Sequence, residues 1–203
     1  ALIVFEDADL DEAVSGALLA NFYSAGEVCT NGTRVFVHKS IRDAFLAKLK
    51  ARTEAMVIGD PLNPATQMGA LISPSHMEKV LGYIALGQQQ GAHLLTGGKR
   101  VTAGDLAKGS FVEPTIFTDV DNSMAIAREE IFGPVASVIR ARDEAHALEL
   151  ANATEFGLAA YAFTQRLDRA AVQGVKRARF RPYAENGRPM AGWVTCSSCA
   201  AAT

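Results

Sequence analysis

At 203 residues and 49% hydrophobic content, the chain is long enough to bury a real core as one large domain or two small ones. Its 20 basic and 22 acidic residues leave a formal charge of −2, so no global field favours nucleic acid or an anionic membrane. Three cysteines do not make a disulfide framework and point to a reducing cytoplasm, and no segment approaches the roughly 20 apolar residues of a membrane helix.

The opening run "ALIVF" reads as a buried strand that passes into acidic residues; it has neither the basic start nor the cleavage site of a signal peptide, and it reads as cut from something longer. In "LDEAVSGALLANFYSAG", Leu10, Val14, Ala17, Leu18 and Phe22 recur at helical spacing, with Asp9 or Asp11 available as a cap. "TRVFVHK" is a strand by its β-branched and aromatic content. "SIRDAFLAKLKARTEAM" is an amphipathic helix that Ser40 is expected to cap. After the loop "GDPLNPATQMG", the segment "SPSHMEKVLGYIALGQQQG" is a helix opened by Ser73 and Pro74 and closed by Gly91.

"AHLLTGG" reads as a short strand, "FVEPTIFTDV" as an extended segment, "PVASVIRA" as a strand, "RDEAHALELANAT" as a helix and "GLAAYAFTQ" as a buried strand. Strands alternating with helices predict an α/β fold, a three-layer parallel sheet with helical crossovers. The end of the chain changes character. Arg166 to Arg188 holds seven basic residues against two acidic, while residues 1 to 165 hold 13 basic and 20 acidic. No period of either kind is sustained there. Residues 171–203 therefore read as a basic tail, open to three explanations: an interaction tail, an out-of-frame stretch or a disordered end.

Two stretches could carry chemistry. In "NFYSAGEVCTNGTR", Gly26 permits a tight turn three residues before Cys29, whose thiol and backbone N–H could serve as nucleophile and oxyanion donor. The bland alternative is a small core cysteine beside a turn. In "EEIFGPV", two carboxylates precede an aromatic and a Gly-Pro stop. This is either a polar loop with Phe132 anchored in the core, or a carboxylate for ribose hydroxyls beside a ring for a flat cofactor. Spacing alone leaves both pairs of readings open.

"FYSAGEVC" resembles the aldehyde dehydrogenase active-site pattern of Phe, three residues, Gly, Gln or Glu, one residue, Cys, and "EEIFGPV" resembles that family's cofactor-side motif. They stand in the family's order, about a hundred residues apart. "GDPLNPATQMGALIS", "GSFVEPTIFTDV" and "ANATEFGLAAYAFT" extend the likeness from Ala1 to about Ala170. Within the superfamily, "GEVCTNGTRVFVHKSI" is most similar to the betaine aldehyde dehydrogenases.

The resemblance implies a catalytic domain over 1–170 in which Cys29 attacks an aldehyde, passes through a thiohemiacetal and a thioester, and yields an acid. It implies NAD as cofactor, with NADP as the other candidate. Glu130 would hold the nicotinamide ribose and Phe132 would pack near the nicotinamide, while Phe22, Val28 and Thr30 would lie near the substrate. A quaternary ammonium substrate would suit an aromatic face. The expected partner is a small-molecule aldehyde, with neither nucleic acid nor membrane, and a homo-oligomer, dimer or tetramer, is expected of the full-length family member.

The same resemblance places the Gly-rich nucleotide-binding half, the second oxyanion donor and the Glu general base upstream of Ala1. It finds the family's Asn-containing strand and Gly-Gly-x-Lys-x-Ser-Gly segment replaced after about Ala170. The chain alone is therefore expected to be inactive or nearly so. A cysteine-dependent esterase and a noncatalytic assembly piece are the rival readings. "CSSC" at Cys196 to Cys199 has redox spacing without the strand-to-helix setting, and zinc would need two more ligands. His38, His76, His93 and His146 are scattered and read as surface or loop residues.

Overall fold

The computed structural model describes residues 1–166 together with two strands of the tail, Phe180–Glu185 and Arg188–Cys196. In chain order the first part contains β1 (Leu2–Val4), α1 (Leu10–Phe22), β2 (Arg34–His38), α2 (Arg42–Glu54), α3 (Pro74–Gln89) and β3 (His93–Thr96). There follow β4 (Thr115–Thr118), α4 (Ala125–Arg128), β5 (Val135–Ala141), α5 (Glu144–Asn152) and β6 (Tyr161–Phe163). The sheet order is β3-β4-β5-β2-β1-β6, parallel throughout except at the β3 edge, which runs antiparallel to β4. Residues 97–114 join these two strands with only a 3-10 turn at Gly104–Lys108, so no helical crossover returns β4 to the direction of β3.

The connection from β1 to β2 and that from β5 to β6 run in opposite directions along the sheet, which places α1 and α5 on opposite faces. Contacts follow that layering. Gly32 leaves room for Leu2 on the α1 face, whereas Arg34 reaches the end of α5, Ser137 donates to Ile126 of α4, and Gly87 of α3 packs on Phe117. Central strands covered on both faces are apolar without alternation. Leu2, Ile3 and Val4 of β1 and Val35, Phe36 and Val37 of β2 are all buried.

Local chemistry explains most boundaries. Asp9, not Asp11, caps α1, accepting from the N–H groups of Asp11 and Glu12. Ser73 caps α3 ahead of Pro74, and Gly91 lies past its end at φ +93°. The expected cap at Ser40 is not made: α2 starts at Arg42 without a side-chain cap, because the Ser40 hydroxyl is taken by His38 Nδ1 at 2.7 Å.

The tail is more regular than its sequence suggests. Phe180–Glu185 (β7) and Arg188–Cys196 (β8) pair as an antiparallel ribbon, with the register slipping between Pro182 and Ala184. Proline and a bulge hide the alternation that would announce such strands. The rest of the tail lies outside the described residues, including 167–179 and Cys199 of the "CSSC" spacing. Among the described residues no helix is long and apolar enough to cross a membrane, and no cluster of His, Cys, Asp or Glu could hold a metal ion.

Candidate active site

The cysteine loop joins the end of α1 to the start of β2, at the amino edge of the parallel strands. Tyr23 ends the helical path, and Ser24, Ala25 and Gly26 follow in left-handed conformations at φ 53°, 54° and 76°. Such a run is costly for Ser and Ala and stands only where surroundings dictate it. They do so here. A Cβ on Gly26 would come within 2.2 Å of the Gly133 carbonyl oxygen, so the loop backbone lies directly on the Gly133–Pro134 peptide.

Further contacts buttress the loop. Asn31 Nδ2 donates to the Gly26 carbonyl at 3.0 Å, the Gly32 N–H to Ala20 at 3.0 Å, and Tyr161 Oη to the Thr30 carbonyl at 2.8 Å. Glu27 Oε1 accepts from the Ile72 N–H at 3.2 Å. Cys29 itself is a free, exposed thiol in the turn from Val28 to Asn31. Its backbone N–H has no partner among the described residues.

A cleft of about 210 Å³ opens beside it. Val28 and Cys29 form one wall, Glu129, Glu130 and Phe132 another, and Phe156 and Leu158 stand at the approach to β6. The two carboxylates are not equivalent. Tyr83 Oη donates to Glu129 at 2.7 Å, a bond that, more than burial, raises the Tyr83 phenol above its ordinary range. Glu130 has no hydrogen-bond or ion-pair partner among the described residues, so its oxygens remain free to accept from a ligand. Phe132 is half-buried and left-handed at φ 59°.

At the floor, Arg34 donates to the Leu150 carbonyl at 3.2 Å and to Ala151 at 3.0 Å, closing the last turn of α5, and lies 5.3 Å from the Phe36 ring centre. Burial, and then the nearby charge of Arg128, lower its pKa from the ordinary value.

The structure thus brings Cys29, Val28, Glu130 and Phe132 to one cleft. Thr30 is exposed and turns its carbonyl to Tyr161, and it does not line the cleft. Phe22 is a correction. The apolar stripe that makes α1 a helix carries this ring into the core at 1% exposure, away from the cysteine cleft.

His76 is a second correction. Instead of lying loose on the surface, its side chain is only 16% exposed and its Nε2 lies 2.6 Å from the Phe132 carbonyl and 3.5 Å from Glu27 Oε1. Nothing in its local sequence signals this, since both partners are distant along the chain. His38, at the far end of β2, is on the opposite edge of the sheet from Cys29.

Fold and cleft together define a thiol-bearing α/β domain whose site is built on the amino edge of its sheet. The chain belongs to the aldehyde dehydrogenase family, whose sequence pattern matches residues 1–176. It is 57% identical over 169 residues to the betaine aldehyde dehydrogenase of Sinorhizobium fredii, covering 83% of this chain and 34% of that protein. It is 55% identical over 169 residues to that of Vibrio vulnificus, covering 83% and 35%.

Among solved structures it is similar to betaine aldehyde dehydrogenase from Staphylococcus aureus in complex with NAD+, with a TM-score of 0.81 and 39% identity over 83% of this chain and 33% of that one. The chain spans about a third of the length of the curated relatives it matches.

Proposed function

We propose that the protein of which these residues form the thiol-bearing part oxidises an aldehyde to a carboxylic acid with NAD, and that its substrate is betaine aldehyde, which it converts to glycine betaine. The observation that carries the reading is the shared cleft: an exposed thiol on a fully buttressed loop faces a free carboxylate and an aromatic ring. The betaine aldehyde relatives at 57% and 55% identity support the substrate.

The residues present fit a nicotinamide nucleotide. Glu130 offers unpaired acceptor oxygens for ribose hydroxyls, and Phe132, partly open to the cleft, offers an apolar face. Bound NAD+ would supply the hydride acceptor that the oxidation requires. Cys29, as thiolate, adds to the aldehyde carbon to form a thiohemiacetal on its sulfur, and the unpartnered N–H of Cys29 meets the oxygen that gains charge. Loss of hydride leaves a thioester on Cys29, which water cleaves to the acid and the free thiol. Sulfur serves both halves, being a strong nucleophile as thiolate and a ready leaving group from the acyl enzyme.

As in other members of its family, assembly into a homo-oligomer belongs to this reading. Formation of NADH from betaine aldehyde and NAD+ tests it. On the 203-residue chain the expected rate is at or near background, and whatever turnover there is disappears in Cys29→Ala. NADH formation that survives in Cys29→Ala would overturn the assignment of Cys29, and rapid NAD-independent ester cleavage by the wild-type chain would favour the hydrolase.

A further inference from the structure

The cysteine loop and the Glu130–Phe132 turn come from opposite ends of the described chain, yet the chemistry proposed above needs their spacing fixed. β2 and β5 pair just beyond the two segments, the Ser137 N–H donating to the Thr33 carbonyl at 2.8 Å, but where Gly26 lies on Gly133 the contact is backbone on backbone without a hydrogen bond. A third element supplies one. His76, in the first turn of α3, places Nε2 at 2.6 Å from the Phe132 carbonyl and at 3.5 Å from Glu27 Oε1. A carbonyl only accepts, so Nε2 carries the proton and donates.

We propose that His76 is a positioning residue: one ring nitrogen, Nε2, donates to the Phe132 carbonyl and has the Glu27 carboxylate 3.5 Å away beside it, and this junction sets the spacing between the Cys29 loop and the Glu130–Phe132 turn.

Each end of the grip is itself anchored. The His76 N–H donates to Ser73 Oγ at 3.1 Å, and the imidazole edge meets the Phe132 ring at a centroid separation of 6.3 Å and an interplanar angle of 66°. Glu27 accepts from the Ile72 N–H at 3.2 Å, which fixes the carboxylate against the approach to α3. Both side chains are mostly shielded from water, Glu27 at 17% and His76 at 16% exposure, so their contact lies out of bulk solvent.

Both segments it joins hold left-handed non-glycine residues, Ser24 and Ala25 in one and Phe132 in the other. Such residues keep their conformation only under external constraint, and Glu27 and the Phe132 carbonyl are the points where His76 applies it.

The catalytic meaning of this grip rests on the dehydrogenase reading, but the grip itself is geometric and is read without turnover. Hydrogen exchange followed by mass spectrometry on the full chain compares peptides over the cysteine loop, over residues 129–135, over the rest of α3 and over β2. In His76→Leu, both the loop and the 129–135 turn are expected to exchange roughly tenfold faster, the loss of about one hydrogen bond, with β2 unchanged. In His76→Gln, whose amide can still donate to Phe132, protection should return to within about twofold of wild type.

In Glu27→Leu the loop alone should loosen while the turn stays held. If His76→Leu also frays α3, the Glu27→Leu pattern decides in its place. The proposal is overturned if only one segment responds to His76→Leu while α3 stays intact, if Gln behaves like Leu, or if Glu27→Leu loosens both segments or neither. A chain without aldehyde activity leaves all these rates as they are, so failure of the grip and failure of the dehydrogenase reading are separate results.

Discussion

The two edges of the parallel sheet are built on different principles. The carboxyl edge is tied by side-chain pairs: Thr164 Oγ1 donates to the Asp7 carboxylate, with distances of 3.0 and 2.8 Å to its two oxygens, Arg42 reaches Thr118 and Asp119, and Asp143 caps α5. The amino edge carries the cleft, the exposed thiol and Glu130, which has no partner among the described residues. Among the described residues it also holds three of the four left-handed non-glycine residues, Ser24, Ala25 and Phe132; the fourth, Asp119, is of a type that tolerates that conformation. In open α/β sheets ligands usually gather at the carboxyl ends of the strands. Here the edge tied by side-chain pairs gives stability, and the strained edge offers unpaired groups to a ligand.

Gly26 is where that contrast breaks most easily. In Gly26→Ala the new methyl meets the Gly133 carbonyl at a φ of 76°, a conformation that L side chains rarely adopt. Left-handed strain and overpacking together should destabilise the chain by about 2–4 kcal/mol, read as a fall in the denaturant midpoint. A neutral substitution would show that the two motifs do not touch.

At the opposite edge, Thr164→Val removes the hydroxyl that donates to Asp7 without changing shape, leaving the Gln165 N–H on the carboxylate. It should cost about 1–2 kcal/mol in the same denaturation experiment while leaving the alkylation rate of Cys29 unaltered. A change in thiol reactivity would mean the edges are coupled.

The smallest effect concerns acid. The His146 N–H, the main cause, holds the Asp143 carboxyl below its ordinary value. A carboxylate whose pKa is depressed in the folded state adds stability above its unfolded value, and that contribution is lost as pH falls through the folded one. Asparagine caps helices without a charge, so the advantage of wild type over Asp143→Asn should shrink below about pH 4, visible in thermal melts across the acid range.

Much of this was legible in the sequence because it is local. Ser73, Pro74 and Gly91 bracket α3 by rules that act within one turn, and an apolar run such as "PVASVIRA" declares a covered strand. Cys29 reads as a candidate nucleophile in a permissive turn, a reading that the companion motif sharpens. What could not be read is what the fold brings together. The antiparallel β3 edge depends on a connection that forms no long helix, and Ser40 loses its capping role to a competing partner, His38. Phe22 lies in the core and not beside Cys29, because adjacent residues on α1 point in different directions and its own apolar stripe carries it inside. His76 carried no signal, since its two partners come from separate segments and one of them is a backbone carbonyl.

The central claim is that Cys29 is the working thiol of this cleft, and competitive alkylation tests it most directly. With limiting iodoacetamide and peptide mapping, Cys29 should be labelled ahead of Cys196 and Cys199, and betaine aldehyde should slow its labelling saturably. Labelling of Cys29 last, or at a rate indifferent to the aldehyde, would contradict the account.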